Sequence, residues 1–311
     1  MNNNDSPKVV RVGTRGSNLA MVQAELTIIK LWRKFPQTDF QLIKIKTSGD
    51  LDQSAPLANM GGIGIFVKEL EKALADEKID LAIHSAKDLP AKLPSGYILG
   101  AVAERASIED ALICSKDYTL ETLPAGATVA TGSVRRIALL KYYRPDLNTC
   151  QVRGNIETRL RKLSEGEFDA IILAQAGLQR LKLEPVIKEI LPPNKFIPSP
   201  GQGAIAVELL NTSKALSMVE KINDVQAFSS LKAERTLLRT LNAGCSSAVC
   251  GWARWEKGRL KLTAGVLDRA GSKFIFAEDD CISSEKAENL GKRVGEKLIE
   301  QGAAKLIAEK D

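Results

Sequence analysis

Short apolar runs alternate with amphipathic stretches through the first two-thirds of the chain. Val9–Val12 is a β-branched run, and after it apolar residues recur at steps of three and four from Leu19 to Ile29. The first pattern predicts a strand and the second a helix with Ser17 as its N-cap. The alternation continues, with further strands predicted at Leu42–Ile45, Leu81–Ile83, Ala111–Cys114, Thr128–Ala130, Cys150–Val152, Ala170–Leu173 and Ala204–Glu208, and further helices at Val67–Ala75, after Ser133 and after Asn155.

This rhythm is typical of a parallel sheet with helices on its faces, and therefore of an α/β fold. Ser48–Gly64 interrupts it with a polar, glycine-bearing stretch that predicts a mobile loop. The last part of the chain changes character. A long helix is predicted at Val225–Leu241, followed by strands at Val249–Trp255, Leu260–Val266 and Phe274–Ala277 and by a terminal helix. Strands grouped between helices predict a small α+β domain.

The composition is that of an ordinary soluble globular protein. The chain has 311 residues, of which 44% are apolar and 26% charged, and this length suits about two domains. The formal net charge of +6 predicts anionic partners. Since aromatic residues are only 5% of the chain and none interleaves with the arginines, a base-stacking nucleic-acid surface is disfavoured.

Cysteine and histidine usage narrows the chemistry further. The five cysteines are irregularly spaced without a Cys-x-x-Cys pair, which argues against a disulfide framework. His84 is the only histidine, so a histidine-rich metal site is excluded. The N-terminus lacks a signal-peptide pattern, and no apolar run approaches the roughly 18 residues of a membrane helix. We expect a cytoplasmic protein with no metal and no membrane partner.

Basic residues are densest between Ser133 and Lys162. The cluster consists of Arg135, Arg136, Lys141, Arg144, Arg153, Arg159, Arg161 and Lys162, against Asp146 and Glu157. Such a cluster is often only a solvated helix face. Here arginines fall in Thr131–Arg136 and Val152–Asn155, at predicted strand-to-helix turns, where α/β folds bind anions. Gly13–Ser17 repeats this design, and the turns together predict a cleft for a small molecule with several carboxylates or phosphates.

Two further segments could carry chemistry. His84–Pro90 follows a buried strand and holds an imidazole, a cation and Asp88 within five residues, which is an active-site position in a parallel sheet. The alternative is a polar turn with a capping aspartate. Cys245 lies in a glycine turn with polar flanks, which makes it a candidate for covalent attachment, whereas Cys250 lies in an apolar strand and is expected in the core.

Taken together, these segments resemble the porphobilinogen deaminase family from about Val9 to Gly251. The motifs that carry the resemblance are, in chain order, Gly-Thr-Arg-Gly-Ser, Thr-Ser-Gly-Asp, Phe-Val-Lys-Glu-Leu-Glu, His-Ser-Ala-Lys-Asp-Leu-Pro, Ser-Val-Arg-Arg, Arg-Gly-Asn-Ile-Glu-Thr-Arg-Leu, Ala-Gly-Leu-Gln-Arg-Leu, Pro-Gly-Gln-Gly-Ala and Ala-Gly-Cys. Each motif is weak alone, but together and in order they are specific.

The resemblance implies a fold of three domains. Residues 1–104 and 201–222 would form the first α/β domain, residues 105–200 the second, and residues 223–311 a small α+β domain. The two α/β domains would resemble periplasmic binding proteins and enclose the cleft. The implied enzyme is a monomeric transferase that joins four porphobilinogen units head to tail with loss of ammonia and releases 1-hydroxymethylbilane by hydrolysis. A dipyrromethane cofactor, bound to Cys245 as a thioether, would be its primer.

The resemblance also implies roles for individual residues. Asp88 matches the catalytic carboxylate. The matching cofactor-binding positions, besides Cys245, are Asp50, Lys87, Thr131, Ser133, Arg135, Arg136 and Arg159. The matching substrate-binding positions are Arg15, Ser17, Gln23, Arg153, Asn155, Arg180 and Gln202. No metal and no nucleic acid is implied.

One departure from the family pattern bears on activity. Leu57–Gly64 carries Ile63 where the family usually has a lysine, which removes a cation from the predicted mobile loop. Losing one charge-assisted contact costs about 1.5–3 kcal/mol, roughly ten- to a hundredfold in affinity or rate. Ile63 therefore keeps open a second hypothesis, a non-catalytic or weakened relative that binds a small polycarboxylate. Cys245 and Asp88 favour the enzyme, because a binding protein has no use for a covalent primer.

Overall fold

The computed structural model describes residues 7–46, 67–244 and 247–308. Contacts divide the chain into two compact units. Unit 1 comprises Met1–Arg105 and Ala204–Phe228, and unit 2 comprises Ala106–Gly203 and Ser229–Asp311. The division of residues 106–311 into a second and a third domain stays a prediction, although unit 2 contains two separate sheets.

Unit 1 is built on one five-stranded sheet. Its described elements are β1 (Val9–Arg15), α1 (Asn18–Lys34), β2 (Asp39–Ile45), α2 (Lys68–Ala75), β3 (Leu81–Ser85), β4 (Tyr97–Val102), β10 (Ile205–Leu210) and the short helix α6 (Leu216–Val219). The strand order is β2-β1-β3-β10-β4. β1 is parallel to both β2 and β3, whereas β10 is antiparallel to both β3 and β4.

The first sheet of unit 2 has the same pattern of strand directions, although its reversed strand comes first in the chain and not last. Its described elements are β5 (Asp110–Cys114), β6 (Thr128–Ala130), α3 (Val134–Tyr143), β7 (Asn148–Cys150), α4 (Ile156–Ser164), β8 (Ala170–Ala174), α5 (Gln175–Arg180) and β9 (Glu189–Leu191). The strand order is β7-β6-β8-β5-β9, with β6 parallel to β7 and β8 and with β5 antiparallel to β8 and β9. One strand of five is therefore reversed in each sheet.

The C-terminal part forms a three-stranded antiparallel sheet with helices. Its described elements are α7 (Val225–Thr240), β11 (Val249–Glu256), β12 (Arg259–Leu267), β13 (Phe274–Cys281), α8 (Ala287–Glu300) and α9 (Ala303–Ala308). β12 lies between β11 and β13. Apolar residues of the sheet pack against α7 and α8 around Leu237, Leu262 and Leu290.

Alternating residues of the central strands fill two apolar layers, one on each face of the α/β sheets. In unit 1, Leu81 and Ile83 belong to one cluster and Ala82 to another. Leu112 and Ile113 divide in the same way in unit 2. Because both faces are covered, these strands are continuous apolar runs, as the sequence shows.

In the described part of the chain, no helix is both long and apolar enough to cross a bilayer.

The predicted fold class is confirmed: two α/β sheets and a small C-terminal α+β part. Thr128–Ala130 has the predicted bounds, and most other predicted elements lie within a few residues of the observed ones. The predicted parallel pairing does not hold for β5 and β10, which are antiparallel to their neighbours; a strand buried on both faces has the same apolar pattern in either direction. The strand predicted at Cys150–Val152 ends at Cys150. The loop Ser48–Gly64 lies outside the described residues.

Candidate functional site

The carboxyl ends of β1 and β3 meet at one edge of the unit 1 sheet, because the two strands are adjacent and parallel. Arg15, half-buried, is the last residue of β1. Ser17 is the N-cap of α1, as predicted, and its Oγ accepts a hydrogen bond from the backbone N–H of Ala20 at 3.4 Å. Thr14 Oγ1 donates to the Ala20 carbonyl at 3.1 Å. These bonds fix the N-terminus of a 17-residue helix at this edge.

Asp88 lies in a single 3₁₀ turn, Ala86–Asp88, that directly follows β3 at the same edge. Its side chain is exposed, and that of Lys87 is half-buried. The Ala86 N–H donates to the Ala204 carbonyl at 3.0 Å, which anchors the turn to the segment that leads into β10. Gln23 is buried, and its Nε2 donates to Ser85 Oγ at 2.8 Å. The predicted unit 1 residues Arg15, Ser17, Gln23, Lys87 and Asp88 therefore share one sheet edge.

His84 does not join this edge. Its side chain is buried, and its Nε2 lies 2.9 Å from Oε2 of Glu208, which is 0% exposed. Glu71 on α2 faces the pair, and its pKa is raised by burial and by Glu208, although His84 opposes the shift. The imidazole is thus a partner of a buried carboxylate rather than a base beside Asp88. Glu208 was not singled out from the sequence, although an acid within the apolar run Ala204–Leu210 is a signal for a buried partner.

We expect Glu208→Ala to lower the free energy of unfolding by about 3–5 kcal/mol, because removal of one partner leaves the other polar group buried without compensation. Urea unfolding followed by circular dichroism measures the change. Glu220→Ala is the matched control, since Glu220 is an exposed glutamate of the same unit and its loss is expected to cost less than about 0.5 kcal/mol. Equal effects of the two substitutions would contradict a structural role for the buried pair.

In unit 2, two helix N-termini lie side by side at a sheet edge. The Thr131 N–H donates to the Cys150 carbonyl at 2.9 Å, so the turns after the parallel strands β6 and β7 are neighbours. Ser133 is the N-cap of α3 and accepts from the Arg136 N–H at 3.4 Å. Asn155 is the N-cap of α4 and accepts from the Thr158 N–H at 2.8 Å. Both predicted helix starts are confirmed, and both place a positive dipole end at this edge.

The second of these turns presents two arginines. Gly154 has a φ of +101°, and a Cβ there would lie 2.8 Å from the side chain of Thr158, so glycine is required. Arg159 Nε donates to the Gly154 carbonyl at 2.8 Å, which folds this side chain back over the turn. Arg153 is half-buried, and it has no hydrogen-bond or ion-pair partner among residues 7–46, 67–244 and 247–308. It is a cation available to a ligand.

The first turn leads into a buried charge cluster. Arg135 and Arg136, the second and third residues of α3, are 4% and 6% exposed and both contact Asp110, which is 0% exposed. Arg135 Nη2 lies 2.7 Å from Asp110 Oδ2, and Arg136 Nη2 lies 2.7 Å from Asp110 Oδ1. Burial by itself raises the pKa of Asp110, but the two guanidinium groups hold it well below its usual range. Two cations on one carboxylate leave this cluster with one positive charge in excess.

The Pro-Gly-Gln-Gly turn joins this cluster. Gln202 is buried, and its Nε2 donates to Asp110 Oδ1 at 2.9 Å and to the Ile108 carbonyl at 2.7 Å. Arg180 Nη2 donates to the Gly203 carbonyl at 2.7 Å. Burial lowers the pKa of Arg180 to about 10, so it remains a cation at neutral pH. The described residues contain no carboxylate that forms an ion pair with Arg180.

The predicted site residues therefore fall into two sets. The unit 1 set is at the edge formed by β1 and β3, and the unit 2 set consists of Thr131, Ser133, Arg135, Arg136, Arg153, Asn155, Arg159, Arg180 and Gln202. Asp50 and Cys245 lie outside the described residues.

Asp110 was not singled out from the sequence. Its signal was an acid at the first position of an otherwise apolar strand, a place where an unpaired charge is costly.

The four described cysteines are poor candidates for covalent chemistry. Burial raises the pKa of the Cys114, Cys150 and Cys250 thiols, that of Cys250 to about 12. Cys281 is buried. Because the thiolate is the reactive form, burial makes such thiols inert. The prediction that Cys250 belongs to the core is confirmed by its 0% exposure.

Two models of known protein families together match almost the whole chain. Residues 10–218 match the family model described as porphobilinogen deaminase, dipyromethane cofactor binding domain. Residues 228–300 match the model described as porphobilinogen deaminase, C-terminal domain.

Individual proteins show the same similarity. A porphobilinogen deaminase of Desulforudis audaxviator is 42% identical over 300 residues, which cover 96% of this chain and 97% of that protein. One of Syntrophomonas wolfei is 40% identical over 301 residues, covering 96% and 98%. Among solved structures, the periplasmic aliphatic sulphonate binding protein SsuA from Escherichia coli is 16% identical, with a TM-score of 0.42 over 76% of this chain and 71% of that one. The similarity to this solved structure, at 16% identity and a TM-score of 0.42, gives no information about activity.

Proposed function

The chain belongs to the porphobilinogen deaminase family, and on this premise we propose how its residues perform the family's reaction. The enzyme is a transferase of tetrapyrrole biosynthesis, a hydroxymethylbilane synthase. It joins four porphobilinogen units head to tail and releases ammonia at each addition, and hydrolysis by one water then frees 1-hydroxymethylbilane from the primer. Each porphobilinogen carries an acetate and a propionate, so every addition brings two carboxylates that require cationic partners.

The residues of unit 2 fit a dipyrromethane cofactor, whose pyrroles carry carboxylates of the same kind. The observation that supports this fit is the excess positive charge of the Asp110–Arg135–Arg136 cluster beside two helix N-termini. Arg135 Nε is buried and has no hydrogen-bond partner among the described residues. Ser133, Thr131, Arg136 and Arg159 would complete the cofactor-binding set together with Lys87 and Asp50. The bound cofactor supplies the primer to which substrate units are added.

Cys245 is the proposed point of attachment. The reactive form of a cysteine is its thiolate, and the thioether to the cofactor would be made by Sγ. The described cysteines are buried or half-buried, and burial raises the pKa of three of them. Cys245 follows the described end of α7 by five residues and lies between glycine and serine.

Asp88 is the proposed catalytic residue. Its exposed carboxylate follows a buried strand, so it is presented to ligand by a rigid element. There it would accept and return protons at pyrrole nitrogens and stabilise the positive charge that forms when ammonia leaves the substrate. Arg15 and the α1 N-terminus capped by Ser17 would bind substrate carboxylates at the same edge. Gln23 would act through its hydrogen bond to Ser85, two residues before Lys87.

Arg153 and Arg180 are the proposed substrate cations of unit 2. Neither forms an ion pair with a described carboxylate, so both charges are available to substrate. Asn155 holds the α4 N-terminus beside Arg153, and Gln202 holds the turn whose Gly203 carbonyl accepts from Arg180. A planar guanidinium binds a carboxylate through two parallel hydrogen bonds, which fixes orientation as well as charge.

Intact mass spectrometry of the denatured chain tests the proposed function. The purified chain should carry an excess of two linked pyrrole units, and porphobilinogen should add further steps of one pyrrole unit with release of ammonia. A chain that stays bare, even after supply of preassembled hydroxymethylbilane, would contradict catalysis and favour the weakened binding protein that Ile63 suggests. The monomeric state, the cytoplasmic location and the absence of nucleic-acid partners stay predictions from the sequence.

A further inference from the structure

Asp110 contacts three of the predicted ligand-binding side chains at once. Its Oδ2 accepts from Arg135 Nη2 at 2.7 Å. Its Oδ1 accepts from Arg136 Nη2 at 2.7 Å, from Arg136 Nε at 3.1 Å and from Gln202 Nε2 at 2.9 Å. The carboxylate thus joins the first turn of α3 to the Pro-Gly-Gln-Gly turn.

Main-chain carbonyls complete the restraint on the two arginines. Arg135 Nη1 donates to the Ile197 carbonyl at 2.8 Å, and Arg136 Nη1 donates to the Ile172 carbonyl at 2.8 Å. Each guanidinium is therefore held on two sides, by Asp110 and by backbone. A planar group held in this way has few orientations left, so it loses little entropy when it meets an anion.

We propose that Asp110 is a positioning residue, which fixes the Arg135–Arg136 pair in its ligand-binding orientation before the cofactor arrives. This inference rests on the proposed function, because the anion is identified with a carboxylate of the dipyrromethane cofactor. Asp110 itself is 0% exposed. It acts through the two arginines and through Gln202.

Positioning and charge balance predict opposite results for the isosteric substitution Asp110→Asn. If Asp110 only neutralised charge, its loss would leave a more positive cluster that binds an anionic cofactor more tightly. If it positions the arginines, uptake should become about ten- to a hundredfold slower despite the added positive charge, since a misplacement of about 1 Å has effects of this order. The direction of the change therefore decides between the two roles.

The measurement is the rate at which cofactor-free chain acquires the primer mass from preassembled hydroxymethylbilane, at several concentrations. Asp80→Asn is the matched control, because Asp80 also binds a guanidinium at two oxygens, that of Arg11 at 2.8 and 3.0 Å, but has no place in the proposed site. It should load like the wild type. Unchanged or faster loading of Asp110→Asn would overturn the proposal.

A second measurement needs no variant at Asp110 and covers the case in which Asp110→Asn does not fold. In cofactor-free Cys245→Ser chain, labelled with ¹⁵N-arginine, the Arg136 Nε–H resonance should be sharp and protected from exchange. Arg136→Lys, which removes that signal, identifies it. A broad, rapidly exchanging Arg136 signal would show that the side chain is not fixed in advance and would overturn the proposal. This result is independent of catalysis, so failure of the proposed function in the wild type is distinguished from failure of this inference.

Discussion

Asp88→Asn should lower the turnover of porphobilinogen by about 10²–10⁴-fold, the range typical of a lost general acid–base group, while the cofactor remains attached. An amide of the same shape keeps the contacts of the exposed side chain but can neither accept a proton nor balance the positive charge formed as ammonia leaves. The turn itself should persist, because the Ala86 N–H and the Leu89 N–H hold it through backbone bonds. Ammonia release under saturating substrate gives turnover, and intact mass gives the occupancy of the primer.

The matched control is Asp117→Asn, which removes another exposed carboxylate, one with 96% of its side chain accessible. Its turnover should equal that of the wild type. Nearly full activity of Asp88→Asn would remove Asp88 from the mechanism. Loss of both activity and primer would instead place it among the cofactor-binding residues, and the two readouts together separate these roles.

Sequence patterns were sufficient where the cause of the structure is local. Ser17, Ser133 and Asn155 each precede an amphipathic stretch, and each side chain caps the helix that follows. An N-cap depends only on the next three residues, so it can be predicted from the sequence without knowledge of the fold. The same three positions lie in the turns predicted to bind anions, and for this reason much of the candidate site could be predicted from the sequence.

The remainder depends on contacts between distant segments. Asp110 contacts Arg135, which is 25 positions away in the sequence. His84 contacts Glu208, and residues 106–203 lie between the two in the sequence. An isolated acid in an apolar strand signals that a partner exists but does not say which one. Strand direction likewise depends on distant segments. β5 and β10 run antiparallel to their neighbours, and their apolar pattern contains no information about strand direction.

Cys245→Ser should leave the chain without a covalent primer and lower turnover at least about a hundredfold, since covalent attachment requires a nucleophile that serine does not provide unaided. A thiol near its ordinary pKa has a few per cent thiolate at neutral pH, whereas a serine hydroxyl has essentially none. The intact mass of the denatured variant should equal the bare chain, before and after incubation with preassembled hydroxymethylbilane. The folded state should be unchanged, because one atom is exchanged for a smaller one.

Cys150→Ser is the control that makes this result specific. Cys150 is half-buried at the end of β7, and burial raises the pKa of its thiol, so its sulfur should be idle and the variant should keep both primer and turnover. If Cys245→Ser still carried two pyrrole units, the attachment would lie at another residue, and the same mass measurement on tryptic fragments would find it. If Cys245→Ser lost the covalent mass but kept turnover, covalent attachment of the primer would be dispensable. Non-covalent binding by the arginine-bearing turns of unit 2 would then suffice to hold the primer. The proposed mechanism requires that both properties disappear together in Cys245→Ser and persist together in Cys150→Ser.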